Sequence, residues 1–506
     1  MSADAPAAAY DALCAHARET ALLSSIRGLL DWDERTKMPP AAGAYRAEQT
    51  AFLAGEIHRR QTAPQVGQWL AELVDSPLAA DPASDSGAVI RELHRKYDKK
   101  TRLPQRLVEE LSRAATLGEQ AWVAARRADD YAMFQPHLER LLRLKRDEAA
   151  ALGYDATPYD PLLDDYEPHA TTADVAQVLA ELRDALTSLV QAIAASGRRP
   201  DGSVLAGRFP VAQQEQFGAE VSAALGFDYA AGRLDVTAHP FCGGAGPRDV
   251  RLTTRYNEAD FADGFFSILH EAGHGMYEQG LPAEHYGLPL GEATSLGIHE
   301  SQSRLWENHV GRSRQFWEYA LPRAQQTFGA ALAGCTVDAA YAAFNDVRPS
   351  LIRVDADELT YNLHILIRFE LERAMIEDDL QAADLPTAWR EKYRAYLGVA
   401  PDDDASGALQ DVHWSAGLFG YFPTYSLGNL YAAQLFEQAG RDLGDLPDSI
   451  RRGQFAPLLA WLRERIHCHG QRYTAAELVQ RTTGRPLSHA SWISQMTAKY
   501  GELYRL

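Results

Sequence analysis

Cysteine is scarce in this chain. The 506 residues contain four, Cys14, Cys242, Cys335 and Cys468, far apart and with no C-x-x-C pair. That argues against a disulfide framework and for free thiols in a reducing compartment. Positive charge is also short. Fifty Lys and Arg face sixty-nine Asp and Glu, for a net charge of −19, which speaks against broad binding to nucleic acid or an anionic membrane. No run of about 18 apolar residues exists to span a bilayer. The first twenty residues carry Asp4, Asp11 and Glu19 and no apolar core of a signal peptide, so a cytoplasmic location is expected. There is no internal repeat and no low-complexity linker longer than about 12 residues, which excludes a helical array. What remains is an ordinary globular composition, 46% hydrophobic and 24% charged. It is expected to form one mostly helical unit over residues 1–506, with two lobes flanking a cleft.

The pattern is helical from 8 to 75, interrupted where Pro39 and Pro40 end one helix and residues 41–60 start another. It is helical again over 87–152, 171–196 and 210–225. Trp32 reads as a packing residue. One region is strand-like. Leu234 to Thr237 and Val250 to Thr254 alternate in polarity, and a glycine-rich loop between them holds His239, Pro240, Phe241 and Gly243–Gly246. Two antiparallel strands are expected there, and their edge could hold an extended peptide. Helices follow over 316–347, from Pro349 through Met375, on to Tyr396, and over 427–506. Between the last two lies a glycine- and aromatic-rich loop, 407–425, with His413, Tyr421 and Tyr425.

The chemistry concentrates in 257–310. His270-Glu271-Ala272-Gly273-His274 is H-E-x-x-H, and Asn257 is the expected N-cap of its helix. On a helix the two histidines lie one turn apart on one face, where both can hold one zinc ion. Glu271 sits beside the open coordination position as a general base toward the metal's water. A catalytic zinc site wants a third protein ligand. A second helix over 295–310, capped by Thr294 or Ser295, offers Glu300. His467-Cys468-His469 does not share one helix face and is not read as a metal site.

These residues, with His239-Pro240-Phe241, Asp249-Val250-Arg251-Leu252-Thr253, His299-Glu300-Ser301-Gln302, Ile352-Arg353 to Asp357, and Gly407 to Trp414, resemble the M32 metallocarboxypeptidases of the carboxypeptidase Taq type. The resemblance implies a mainly α, neurolysin-like zincin with a deep substrate cleft between helical lobes (1–230 and 311–506). A small antiparallel β-sheet and the metal-binding helices (231–310) would edge that cleft. It implies a zinc-dependent carboxypeptidase releasing single residues from free peptide C-termini with broad specificity. Cobalt or manganese would substitute for zinc, and the assembly would be a homodimer. His270, His274 and Glu300 would hold the metal. Glu271 would be the general base, with His413 and Tyr421 or Tyr425 as donors to the oxyanion and Tyr421 preferred. Arg353 is the first choice to clamp the terminal carboxylate, through a bidentate fork. Arg251 is the second choice, or a limit on substrate length, and His239 joins the substrate-binding set. The close alternative is a metallo-oligopeptidase cutting internal bonds in the same cleft. A binding protein with a spent metal site has no need of Glu271.

Overall fold

Helix dominates, as the periodicity predicts. The computed structural model describes residues 4–506, and these divide into two compact units. One comprises Met1–Thr101, Asp201–Phe344 and Leu435–Pro486, and the other Arg102–Pro200, Asn345–Gln434 and Leu487–Leu506. Among the described residues, no single helix is long and apolar enough to cross a membrane.

In the first unit a helix over Asp4–Thr36 ends before the two prolines, and the next spans Gly43–Gln61. The sheet has three strands, β1 (Gly232–Val236), β2 (Cys242–Gly244) and β3 (Val250–Thr254), in the order β1-β3-β2. The expected antiparallel pair is corrected here. β1 runs parallel to β3 with Leu234 opposite Leu252, while β2 is antiparallel to β3 with Cys242 opposite Leu252. The cause is that the glycine-rich connection is itself a strand. The chain reverses on either side of it, and two reversals bring β3 back parallel to β1. Backbone crowds this strand, since a Cβ on Gly28 of the first helix would lie 2.8 Å from the carbonyl oxygen of Gly244.

The H-E-x-x-H helix spans Phe261–Glu278, and its N-cap is Asp260, whose carboxylate accepts the Ala262 amide at 3.0 Å. Asn257 caps only the preceding turn, accepting the Ala259 amide at 2.9 Å. Phe261, Phe265, Phe266, Ile268, Leu269, Ala272, Met276 and Tyr277 are all buried, so one broad face of the helix is core while Asp263, His270, Glu271, His274 and Glu278 share the other. Phe265 lies 5.3 Å from Phe217 and 5.6 Å from Trp317, ring to ring. Such packing offsets the weak helix propensity of Gly264, Gly273 and Gly275. Each glycine permits a close approach. A Cβ on Gly275 would strike Phe227 at 2.7 Å and Leu252 of β3 at 2.8 Å, so Gly275 seats the helix on the sheet. A Cβ on Gly273 would meet the Gln302 carbonyl oxygen and Ser303 Cα, each at 2.6 Å, so Gly273 seats the following helix backbone to backbone.

That following helix spans Leu296–Arg304, with the Ser295 hydroxyl accepting the Ile298 amide at 3.0 Å, and continues as a π-helix over Leu305–Gly311. The expected helix over 316–347 is two, Arg314–Phe328 and Val337–Phe344. Gly329, at φ 54°, leaves the helical region between them.

In the second unit the helix Tyr361–Ile376 packs against Leu385–Leu397, Thr172–Ala195 and Gln135–Leu152. It starts later than the apolar run suggests, because the Asp357 carboxylate accepts the Leu359 and Thr360 amides at 2.9 Å and holds the approach irregular. Arg353 therefore sits in a short 3-10 turn, Arg353–Asp355, rather than at a helix start. Its neighbouring helix buries His364, Arg368 and Glu372 completely, a polar stripe at i, i+4 and i+8.

Gly273→Ala tests the backbone contact. Helix propensity alone favours the variant by about 1 kcal/mol, whereas forcing a methyl between two backbones costs about 1–3 kcal/mol. We expect a lower midpoint in urea unfolding and a weaker hold on divalent metal. A variant at least as stable as the parent would show that the two helices are not in contact at this point.

Candidate active site

The two ligand helices bring His270, His274 and Glu300 together. Glu300 Oε2 lies 3.6 Å from His270 Nε2 and 3.4 Å from His274 Nε2, and the three donor atoms fall within 4.8 Å of one another. Donors about 2.0–2.2 Å from a shared tetrahedral ion stand about 3.3–3.6 Å apart, so this set fits a zinc-sized cation. It is the single such group among the described residues.

The far nitrogens of both imidazoles are occupied. His270 Nδ1 meets Glu307 Oε2 at 2.9 Å. His274 Nδ1 lies 3.1 Å from the His299 carbonyl oxygen and 2.6 Å from His299 Nδ1, while His299 Nε2 meets Glu278 Oε1 at 2.8 Å. With Nδ1 committed outward, each Nε2 presents a lone pair inward, as metal-ligating histidines do. Burial, then the neighbouring His299, pushes His274 down to about 3 and keeps it neutral. Burial works against a charged Glu300, but Arg304 and the two histidines outweigh it and hold the carboxyl well below the usual range. Glu271 is buried, and its burial pushes it up to about 7, against the pull of His270. A carboxyl poised there can both take and return a proton near neutral pH.

Arg251 and His239 belong to the same unit. Arg251 forks onto Asp249 at 2.8 and 2.9 Å, and its guanidinium lies 4.3 Å from the Trp32 ring centroid. Trp32 is thus a packing platform under an arginine. His239 is exposed in the bend between β1 and β2.

Arg353, His413 and Tyr421 fall in the second unit, in a separate cluster. Arg353 Nε donates to Asp411 Oδ1 at 2.9 Å, its Nη1 to the Tyr361 hydroxyl at 3.0 Å, and its backbone amide to Gln410 at 3.0 Å. Arg368 donates to the other Asp411 oxygen at 2.6 Å and to Gln410 at 2.6 Å. Burial opposes a charged Asp411, yet the two arginines hold it far below the carboxylate range. His413 Nε2 lies 3.3 Å from the Tyr425 hydroxyl, and its ring 5.4 Å from that of Tyr421. Burial pushes His413 down to about 4, so it is neutral at physiological pH. The segment carrying it is pinned rather than loose. Glu372 accepts the Trp414 indole N–H, the Gly420 amide and the Tyr159 hydroxyl, each at 2.6 Å.

Comparison with known proteins decides the family. The model of the carboxypeptidase Taq (M32) metallopeptidases matches residues 12–500. The chain belongs to the M32 family. It is 48% identical to thermostable carboxypeptidase 1 of Thermus thermophilus, over 99% of both chains, and 38% identical to carboxypeptidase 1 of Bacillus subtilis, over 96% of both. Its fold is similar to that of a solved M32 carboxypeptidase from Deinococcus radiodurans R1, with a TM-score of 0.95 and 40% identity over 99% of this chain and 100% of that one. It is therefore a metallopeptidase hydrolase of the carboxypeptidase class with the M32 fold, mainly helical with a small mixed sheet.

Sequence reading missed the outer residues Arg304, Glu307, Arg368 and Glu372. Arg304 and Glu307 lie at i+4 and i+7 from Glu300, the same helix face, and that spacing was the available signal. Arg368 and Glu372 sit inside an apolar run and carry no local signal.

Asp411→Asn is expected to lower unfolding free energy by about 3–5 kcal/mol, because it leaves two arginines buried against a neutral amide. The depressed Asp411 contributes stability that is present above the unfolded carboxyl value of about 3.9 and lost as pH falls through the lower folded value. The gap between parent and variant in denaturant titrations should stay constant from neutral pH to about pH 5 and close only in stronger acid. A gap that closes between neutrality and pH 5 would contradict the pairing.

Proposed function

We propose that this carboxypeptidase uses zinc to release single residues from free peptide C-termini with broad specificity, with Glu271 as its general base. The observation that carries this is a buried carboxyl one position along the helix from a His-His-Glu donor set of zinc-site dimensions. When bound at His270, His274 and Glu300, a divalent cation supplies Lewis-acid polarisation and lowers the pKa of water. Glu271 takes the proton of the attacking water and delivers it to the leaving amine nitrogen. His413 and Tyr421 donate hydrogen bonds to the tetrahedral oxyanion. Support for His413 comes from its neutral state, which leaves one ring N–H to donate. Tyr425, at 3.3 Å from His413 Nε2, is the natural partner holding that ring.

Arg353 clamps the substrate carboxylate. Its Nε and Nη2 both lie 2.9 Å from Asp411, and Nη1 meets Tyr361. The guanidinium is thereby oriented while two of its five N–H groups remain for a ligand. Arg251, held by Asp249 and Trp32, limits substrate length, and His239 joins the substrate-binding set. Four free cysteines support a reducing, cytoplasmic setting, and a homodimer is the assembly the family resemblance suggests.

Two experiments test this. A peptide and its C-terminally amidated twin should differ sharply, with residue release only from the free acid. Equal cleavage of both would make the enzyme an oligopeptidase. Glu271→Gln should keep its metal, by elemental analysis, while kcat falls about 10²–10⁴-fold. Surviving turnover would remove Glu271 as the base.

A further inference from the structure

We propose that Arg304 restricts Glu300 to ligation through one oxygen, keeping a coordination position open at the metal. This rests on His270, His274 and Glu300 being the ligands. The two Glu300 oxygens have different surroundings. Oε2 faces His270 Nε2 at 3.6 Å and His274 Nε2 at 3.4 Å, and the Ser303 hydroxyl lies 3.2 Å from it. That hydroxyl makes its shorter bond, 2.6 Å, to the Glu300 carbonyl oxygen. Oε1 accepts Arg304 Nε at 2.7 Å.

Arg304 also reaches the outer carboxylate. Its Nη1 donates to Glu307 Oε2 at 3.3 Å, and that oxygen meets His270 Nδ1 at 2.9 Å. One planar guanidinium thus fixes both a ligand carboxylate and the carboxylate that orients a ligand imidazole. Its side chain is 13% exposed and that of Glu300 is 7%, so water competes little for either. A lysine has no such fork and acts as a point charge. The π-helix that follows supports the arrangement. Glu307 Oε1 takes a second guanidinium, Arg312 Nη2, at 3.3 Å and at the i+5 spacing of a π turn.

Carboxylates bind metals through one oxygen or two. A buried Oε1 stripped of Arg304 is left without its donor beside a cation, so it turns onto the metal. That fills the position which catalytic zinc sites keep for water and substrate.

The test uses the full-length enzyme, cleared of metal by chelation and reloaded with cobalt(II). Arg304→Met is expected to gain one oxygen in the first shell by X-ray absorption, and to lose visible absorption intensity as coordination number rises. Arg304→Lys should move the same way by a smaller amount, and it carries the test if Arg304→Met fails to fold. Spectra superimposable on the parent in the folded variants would overturn the proposal. A merely structural arginine would change stability and leave the cobalt spectrum alone. Glu300→Ala, run in parallel, separates the two ideas. If its metal affinity is unchanged, the ligand assignment fails. If Glu300→Ala loses metal but the Arg304 variants keep the parent spectrum, only the role of Arg304 fails.

Discussion

The backbone contact between Gly273 and the Gln302–Ser303 peptide is the constraint on which the metal centre depends. Two histidines one turn apart can be placed by one helix alone. The third donor must come from elsewhere, and Glu300 reaches them only because the second helix lies against the first with no side chain between. A methyl at 273 would fall 2.6 Å from two backbone atoms. Burial of its own raises the Glu271 carboxyl toward neutrality.

The charges around the donors follow a second logic. Glu300 and Glu307 are both buried beside the ligand imidazoles, and Arg304 and Arg312 compensate them. Buried charges persist when paired and fully hydrogen-bonded. The second unit repeats the pattern with the signs exchanged. Asp411 compensates Arg353 and Arg368, and Glu372 gathers three N–H and O–H donors. Residues 407–425 have little regular secondary structure, yet these side-chain bonds hold them as firmly as a ladder would. A glycine- and aromatic-rich composition announces an irregular path, not a loose one.

Some elements were legible because their cause is local. The Ser295 cap, the stop at Pro39 and Pro40, and the one-face spacing of His270 and His274 depend on neighbours within a turn or two. Others were not. Asn257 and Asp260 are both good caps, and only the path from β3 into the helix selects Asp260. The sheet order failed because a three-residue strand of one cysteine and two glycines has no pattern of its own. Arg353 lies eight residues before its helix because Asp357, not the apolar periodicity, decides where the helix begins.

By itself the sequence determined the helical class, the pair of histidines, the adjacent carboxyl and, through an ordered set of motifs, the family. Those follow from local periodicity and from residue types that few chemistries require together. Only the tertiary structure decided which oxygen of Glu300 faces the histidines, which arginine holds the other, and that Asp411 joins two arginines across 43 and 58 positions of chain. These are through-space pairings at hydrogen-bond distance between groups taken out of water, and no spacing along a chain encodes a direction in space.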